Sequence, residues 1–410
     1  MSTLAYHQAI WHQLLNDAPF AWFLRNEASI SSSYTLQELG EEDDKLNSFF
    51  DAIRLGVESG HTVHDELDFK DTGAIFVSAV LGVMLDSKEL FTLAIKEAAQ
   101  DGERADELFY AVQWKQPNPD FLNLIEAHQS PSVRQAAIAM HELAPESAPV
   151  ATWLEDSQDT VKCRVLDFIG QHRLAQYEDA VQSEYTNSAE SMRFAAARAG
   201  LLINDSEARK ILESLAVTST HYSLEALELA LRTGKSETNT GLVKKILSSD
   251  ISSRVKVMAI AYSGLPEFMQ VVLEAMSDID VAQVAGEAFG LMTGVDIVED
   301  DFDDEQPSGD EPTAAEKRAI DPFYRDYEED LPWPHVVKCW DWWRDNGGSY
   351  GSGSRYLAGL EVNARNIERL LHTGNQVQRH AASVELGGLD NQRATFNTRL
   401  PVQLQKDLLR

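Results

Sequence analysis

Cysteine is almost absent: the 410 residues contain two, Cys163 and Cys339. That excludes a disulfide framework and points to a reducing compartment. Long apolar runs are missing too, since no stretch approaches the ~20 residues needed to cross a bilayer. The start, MSTLAYHQAIWHQLL, has no basic segment ahead of an apolar run and so does not read as a signal peptide. Together these absences predict a soluble cytoplasmic protein with no membrane contact. Basic residues are scarce, 35 against 66 acidic ones, for a formal net charge of −31. Such a field repels nucleic acid and favours a basic protein partner. Catalytic signatures are lacking as well. There is no HExxH, no Gly-Lys-Ser/Thr phosphate loop, and no recognisable Ser/His/Asp or Cys/His pairing. The chain is therefore expected not to be an enzyme and to need no cofactor.

What is present is a period. A small aliphatic residue, often followed by Arg or Lys, opens an Ala-rich helical stretch at Val133, Val161, Met192, Leu224, Val255 and Val281. The intervals are 28, 31, 32, 31 and 26 residues. Repeats of this length are helix pairs, each unable to bury its apolar face alone, so they stack. Between the openings, second helices are expected over 121–127, 150–154, 174–185, 207–215, 242–247 and 267–276. Arg134, Lys162, Arg193 and Lys256 recur at one phase, where each can pair with an acid or a helix C-terminus of a neighbouring repeat.

Residues 1–110 read as helices without that phase: a helical N-terminal cap. Thr35 and Glu38 form a capping-box pattern, and the apolar run from Gly73 to Leu85 belongs at the centre. Residues 111–295 are the repeats. From Asp296 to Asp330 the chain holds 15 acidic and 3 basic residues; this is an acidic loop or linker, with residues 298–312 expected to be mobile. Residues 331–410 form a C-terminal cap, in which Trp333, Trp340, Trp342 and Trp343 precede a glycine-rich turn and a final repeat-like helix pair.

Four C-terminal segments carry a resemblance. Phe289-Gly290-Leu291-Met292-Thr293-Gly294-Val295-Asp296, Asp330-Leu331-Pro332-Trp333-Pro334, Gly353-Ser354-Arg355-Tyr356-Leu357-Ala358-Gly359 and Gln378-Arg379-His380-Ala381-Ala382 resemble a poorly characterised bacterial family of about this length with HEAT-like repeats. Its members often lie in gene clusters of type VI secretion spike proteins and their toxins. The resemblance implies a role in handling, or protecting against, a secreted antibacterial toxin, and implies no catalytic residues.

Three segments invite chemistry. His61, His64, Asp65, Glu66 and Asp68 form a ligand-rich cluster, but without a clear coordination geometry a solvated polar turn is the better reading. Asp300, Asp301, Asp303, Asp304 and Glu305 lack the alternation and the glycine of an EF-hand. The run GGSYGSGSRYLAG follows no strand and is read as a turn ordered against the Trp helix, not as a nucleotide loop. The Trp cluster is read as packing of the C-terminal cap, with an exposed hot spot as the other possibility.

The expectation is an all-α protein, a HEAT-like α-solenoid with a helical N-terminal cap and a Trp-rich C-terminal cap. It works by stoichiometric binding: an immunity protein that neutralises a cognate type VI toxin, a basic nuclease. The alternatives are an adaptor that loads a toxin onto the secretion spike and a general HEAT-repeat scaffold. The carboxylates expected to meet the partner are Asp300, Asp301, Asp303 and Asp304, with Glu41, Glu42, Asp43 and Asp44. No metal ligands are assigned, and the oligomeric state is left open.

Overall fold

A computed structural model describes residues 3–64, 66–142, 144–219, 221–305, 313–389 and 396–410. It is all-α. Among the described residues there are 22 α-helices and one two-stranded hairpin, Tyr356–Leu357 paired antiparallel with Leu360–Glu361. The helices are α1 (Thr3–Ala28), α2 (Leu36–Glu58), α3 (Gly73–Met84), α4 (Lys88–Ala98), α5 (Gly102–Trp114), α6 (Pro119–Glu126), α7 (Pro131–Ala139), α8 (Val150–Leu154), α9 (Asp159–Gln171), α10 (Glu178–Ser183) and α11 (Glu190–Leu202). There follow α12 (Ser206–Thr218), α13 (Ser223–Arg232), α14 (Ser236–Leu247), α15 (Ser253–Ser263), α16 (Met269–Ala275), α17 (Ala282–Thr293), α18 (Ala314–Ile320), α19 (Val336–Asn346), α20 (Ala364–Thr373), α21 (Gln376–Leu389) and α22 (Val402–Leu408). None among the described residues is long and apolar enough to cross a membrane.

The chain forms two compact units. The first comprises residues 1–172, 375–377 and 396–410; the second comprises 173–374 and 378–395. This grouping differs from the boundaries read from the sequence. The division at His172 falls inside the expected repeat run, and the last fifteen residues join the first unit.

In the first unit α3 lies at the centre, with Gly73 through Gly82 all buried. Trp22 stacks on Phe76 at 3.6 Å, and Phe50 and Trp114 close around the same ring. Gly82 lets α4 approach: a Cβ there would meet the Phe91 backbone nitrogen at 2.8 Å. Thr35 and Glu38 make the expected capping box at the start of α2. One charged pair lies inside this core. Arg25, 1% exposed, donates from Nε to Asp43 (2.8 Å) and from its two other nitrogens to the carbonyls of Arg399 (2.7 Å) and Leu400 (2.9 Å). The second oxygen of Asp43 accepts from the Val402 N–H at 2.6 Å. Residues 399–402 are thereby held on the unit's own helices.

Five of the repeat openings sit in the first turn of a helix and the sixth, Val281, is the N-cap residue of α17, all with side chains inward: Val133, Val161, Met192, Leu224, Val255 and Val281 are each at most 7% exposed. In the first unit α7 packs on α9; in the second α11 packs on α13, α13 on α15 and α15 on α17. The second helix of each pair appears where the sequence placed it, Val150–Leu154 to the residue. Arg134 behaves as expected of its phase, gripping Asp156 with two nitrogens (3.0 and 3.1 Å). Arg193 donates to the Asn187 and Ser188 carbonyls. At the α15 repeat the inward cation is Arg254 instead of Lys256, because residue 254 faces the interior and is 5% exposed.

A strap crosses the C-terminal ends of three helices in the second unit. Such ends leave carbonyls without intrahelical partners. Arg355 donates from Nε to the Ser263 carbonyl (2.8 Å) and from one terminal nitrogen to those of Arg232 (3.0 Å) and Gly234 (3.1 Å). Its other nitrogen reaches the buried Glu385 carboxylate. Next along the chain, the Tyr356 N–H bonds the Gly264 carbonyl, Ala358 that of Leu291, and Gly359 that of Met292. Gly264 turns left-handed (φ 65°), and a Cβ there would meet the Tyr356 carbonyl at 2.5 Å.

Candidate partner-binding surface

The acidic segment after α17 is a built turn. Gly294 ends the helix at φ 80°. Asp296 accepts from the N–H groups of Val298 and Glu299, both at 3.0 Å, and its own N–H donates to the Asp300 carboxylate at 2.9 Å. Such side-chain turns are what aspartate favours over helix. Asp301 takes the left-handed conformation (φ 62°), and the Phe302 N–H returns to the Ile297 carbonyl at 2.8 Å. The strand-like stretch that follows pairs with the Trp-Pro-His run. The Asp304 N–H donates to Trp333 (2.8 Å), the His335 N–H donates to Phe302 (2.6 Å), and Lys338 donates to the Asp301 carboxylate at 3.0 Å.

The expectation of a mobile loop over 298–312 is therefore corrected for its first half. Backbone pairing and Lys338 hold residues 298–304; residues 306–312 lie outside the described residues. Nor is the rest of 296–330 a plain linker. Thr313 and Glu316 cap α18, and Glu328, 3% exposed, is gripped by Arg254 at 2.7 Å. Sequence reading missed these because the acids look alike whether solvated or paired.

α19 is oriented by its tryptophans. Trp342 meets Phe289 of α17 edge-on at 5.5 Å, and Tyr350 from the glycine run packs on Trp343 at 5.1 Å and on Tyr356 at 4.7 Å. Pro334 lies over Gly286, where a Cβ would meet its ring at 3.1 Å. With that face spent on packing, the outward face shows Val337 (62% exposed) and Trp340 (37% exposed), one turn apart. Val298 of the acidic turn is also exposed, and the Asp301 side chain is almost wholly in solvent. The turn and the helix are tied together, so carboxylates and an indole are presented from one ordered element.

The N-terminal tetrad separates. Asp43 faces inward and is consumed by Arg25 and Val402; burial pushes its carboxyl up, and those two partners oppose the shift. Its assignment as a partner-facing residue is thus corrected: at 6% exposure it belongs to the interior. Glu42 pairs with Lys45 at 2.7 Å on the same helix. Glu41 and Asp44 remain exposed along a groove in the first unit.

The histidine cluster disperses. His61 stacks on Trp11, His64 faces Glu89 at 3.5 Å, and Glu66 takes His12 at 2.6 Å; Asp65 lies outside the described residues. Among the described residues no group of three or more His, Cys, Asp or Glu is placed to hold a metal.

A charged interior in the second unit was not legible in the sequence. Burial pushes the Glu228 carboxyl up, but Arg232 and His380 outweigh it and hold the group down at about 2. Glu287 goes the other way, pushed up to about 7 by burial and by the nearby Glu328 and Glu228 charges. Its only hydrogen-bonding neighbour among the described residues is the Tyr327 hydroxyl, at 3.4 Å. The pairs Arg232–Glu385 and Arg355–Glu385 join residues far apart in the chain, and no local pattern announces them. No family model, no curated protein and no solved structure matches the chain.

Proposed function

We propose that this chain is a HEAT-like α-solenoid that captures a basic protein partner stoichiometrically, and that the partner is a cognate type VI toxin which it neutralises. The observation that carries the reading is the ordered acidic turn, Asp300, Asp301, Asp303 and Asp304, fixed beside the exposed Val337 and Trp340. An accessible indole is a hot-spot residue type, and carboxylates already held in an ordered turn near it lose little side-chain freedom on docking. The overall charge of −31 steers a basic partner toward it. Nucleases are basic where they hold phosphates, so an acidic inhibitor occupies the surface their substrate needs. The type VI context comes from the resemblance of the C-terminal motifs, and inhibition is favoured over carriage because an acidic surface would cover the phosphate-binding face of a nuclease.

The test is rescue. Co-expression with the toxin encoded beside it should restore growth. Trp340→Ala should weaken the complex by about 2 kcal/mol. If the chain binds the toxin and leaves it fully active, the role is that of a loading adaptor; if it binds no neighbouring toxin, the toxin reading fails and a general scaffold remains.

A further inference from the structure

The first unit contains a groove of about 660 Å³ that the reading above does not use. One wall is a single face of α2, where Gln37, Glu41, Asp44 and Asp51 follow one another at helical spacing. Within this largely polar groove, Met84 from α3 and Trp114 at the end of α5, both half-buried, form an apolar patch over the fully buried Val80. The indole is held in place, with the Arg25 guanidinium 5.1 Å over its ring and the rings of Trp22 and Phe76 against its edges. The remaining wall carries two lysines on other elements, Lys115 just after α5 and Lys406 on α22.

The charges are segregated. Among the described residues neither Glu41 nor Asp44 has a cation within ion-pair distance, although the Glu41 charge acts on Lys45 one turn further along α2, and neither Lys115 nor Lys406 has a carboxylate. Left to themselves, flexible lysines and acids in one groove would pair; held on separate helices, they leave their matching charges to an occupant. The volume is in the range of small-ligand sites.

We infer that this groove binds a short peptide segment of dipolar pattern: a Lys or Arg against the α2 carboxylates, an apolar residue on Trp114, and a carboxylate against Lys115 and Lys406. The site does not depend on the toxin reading, because its residues lie outside the acidic turn.

The experiment is selection of a displayed random heptapeptide library on the full chain, in parallel with a Glu41→Lys/Asp44→Lys variant. Enriched sequences should place a basic residue and an acidic one on either side of an apolar residue. A synthetic copy of the most enriched peptide should bind the double variant, and a Lys115→Glu/Lys406→Glu variant, at least tenfold more weakly. Its fluorescence change should vanish in Trp114→Phe. All the charged positions are exposed, so unchanged circular dichroism verifies folding; Asp44→Asn gives a milder second variant. Rescue from the toxin should persist in the Lys115→Glu/Lys406→Glu and Trp114→Phe variants, which separates failure here from failure of the proposed function. The inference is overturned if nothing is enriched over a protein-free control, if the enriched peptides lack the dipolar pattern, or if they bind the charge-reversed variants equally well.

Discussion

Replacing Asp43 tests whether its carboxylate serves the interior or a partner. Asp43→Ala removes the only acidic partner of the Arg25 guanidinium among the described residues and strips the acceptor from the Val402 N–H. Arg25 is 1% exposed and cannot reach water without breaking its bonds to the Arg399 and Leu400 carbonyls. Breaking one half of a buried pair in this way costs about 3–5 kcal/mol. For a unit of this size that is a fall in melting temperature of roughly 10 °C. Removing both charges, as in Arg25→Met/Asp43→Leu, should cost less than the sum of the two single changes, because no buried charge is stranded, although the Arg399 and Leu400 carbonyls and the Val402 N–H lose their partners. The assay is urea denaturation followed by circular dichroism for the wild type, both single variants and the double variant. A coupling between the two sites below about 0.5 kcal/mol would place them among independent residues and refute the interior role. Association with the basic partner should be unchanged in Asp43→Asn wherever that variant is folded; a selective loss of binding would return Asp43 to the surface set.

Reversing the charges of Asp300, Asp301, Asp303 and Asp304 should slow association with the partner more than it speeds dissociation, and the effect should fade as salt screens the field, as stopped-flow measurements can show. Deleting residues 298–304 should lower the melting temperature, since it removes the pairing with Trp333, His335 and Lys338. Leu227 is fully buried, so Leu227→Asp should cost several kcal/mol, read by urea denaturation. Three carboxyls, Glu107, Glu142 and Glu287, are raised by burial from 4.5 to about 7. In this window the folded chain holds protons that the unfolded chain has released, so stability is greatest below pH 4.5 for these groups and falls as pH rises to 7. Glu287→Gln should therefore stabilise the protein at pH 8 and change little at pH 4, by thermal melts at both values.

The repeat openings were legible because burial near the start of a helix is written locally. Val133, Val161, Met192, Leu224, Val255 and Val281 had to be apolar at one phase, and every one lies inside. The Thr35–Glu38 cap was legible for the same reason, being complete within four residues. The acidic turn was misread in part. Asp296, Asp300 and Asp301 bond their own backbone and Lys338, and composition does not distinguish a carboxylate that builds a turn from one that only repels its neighbours. Asp43 was misassigned because its partners, Arg25 and Val402, are remote in sequence, and an acid among Glu41, Glu42 and Asp44 looks solvated. Trp340 and Trp342 were seen as a cluster, yet which one packs and which one shows depends on the face α19 turns to Phe289.

The strap has a mechanical corollary. A row of repeats that touch only their neighbours should yield to force one repeat at a time, each rupture paying out a similar length of chain. Here Arg355 and the backbone of Tyr356, Ala358 and Gly359 cross-tie the ends of α13, α15 and α17. Under tension the tie has to part before any of the three helices can peel away, and once it parts none of them is held as before. A single-molecule pulling trace of the second unit should then show the span Ser223–Thr293 released in one large event, and Arg355→Ala should break that event into a staircase.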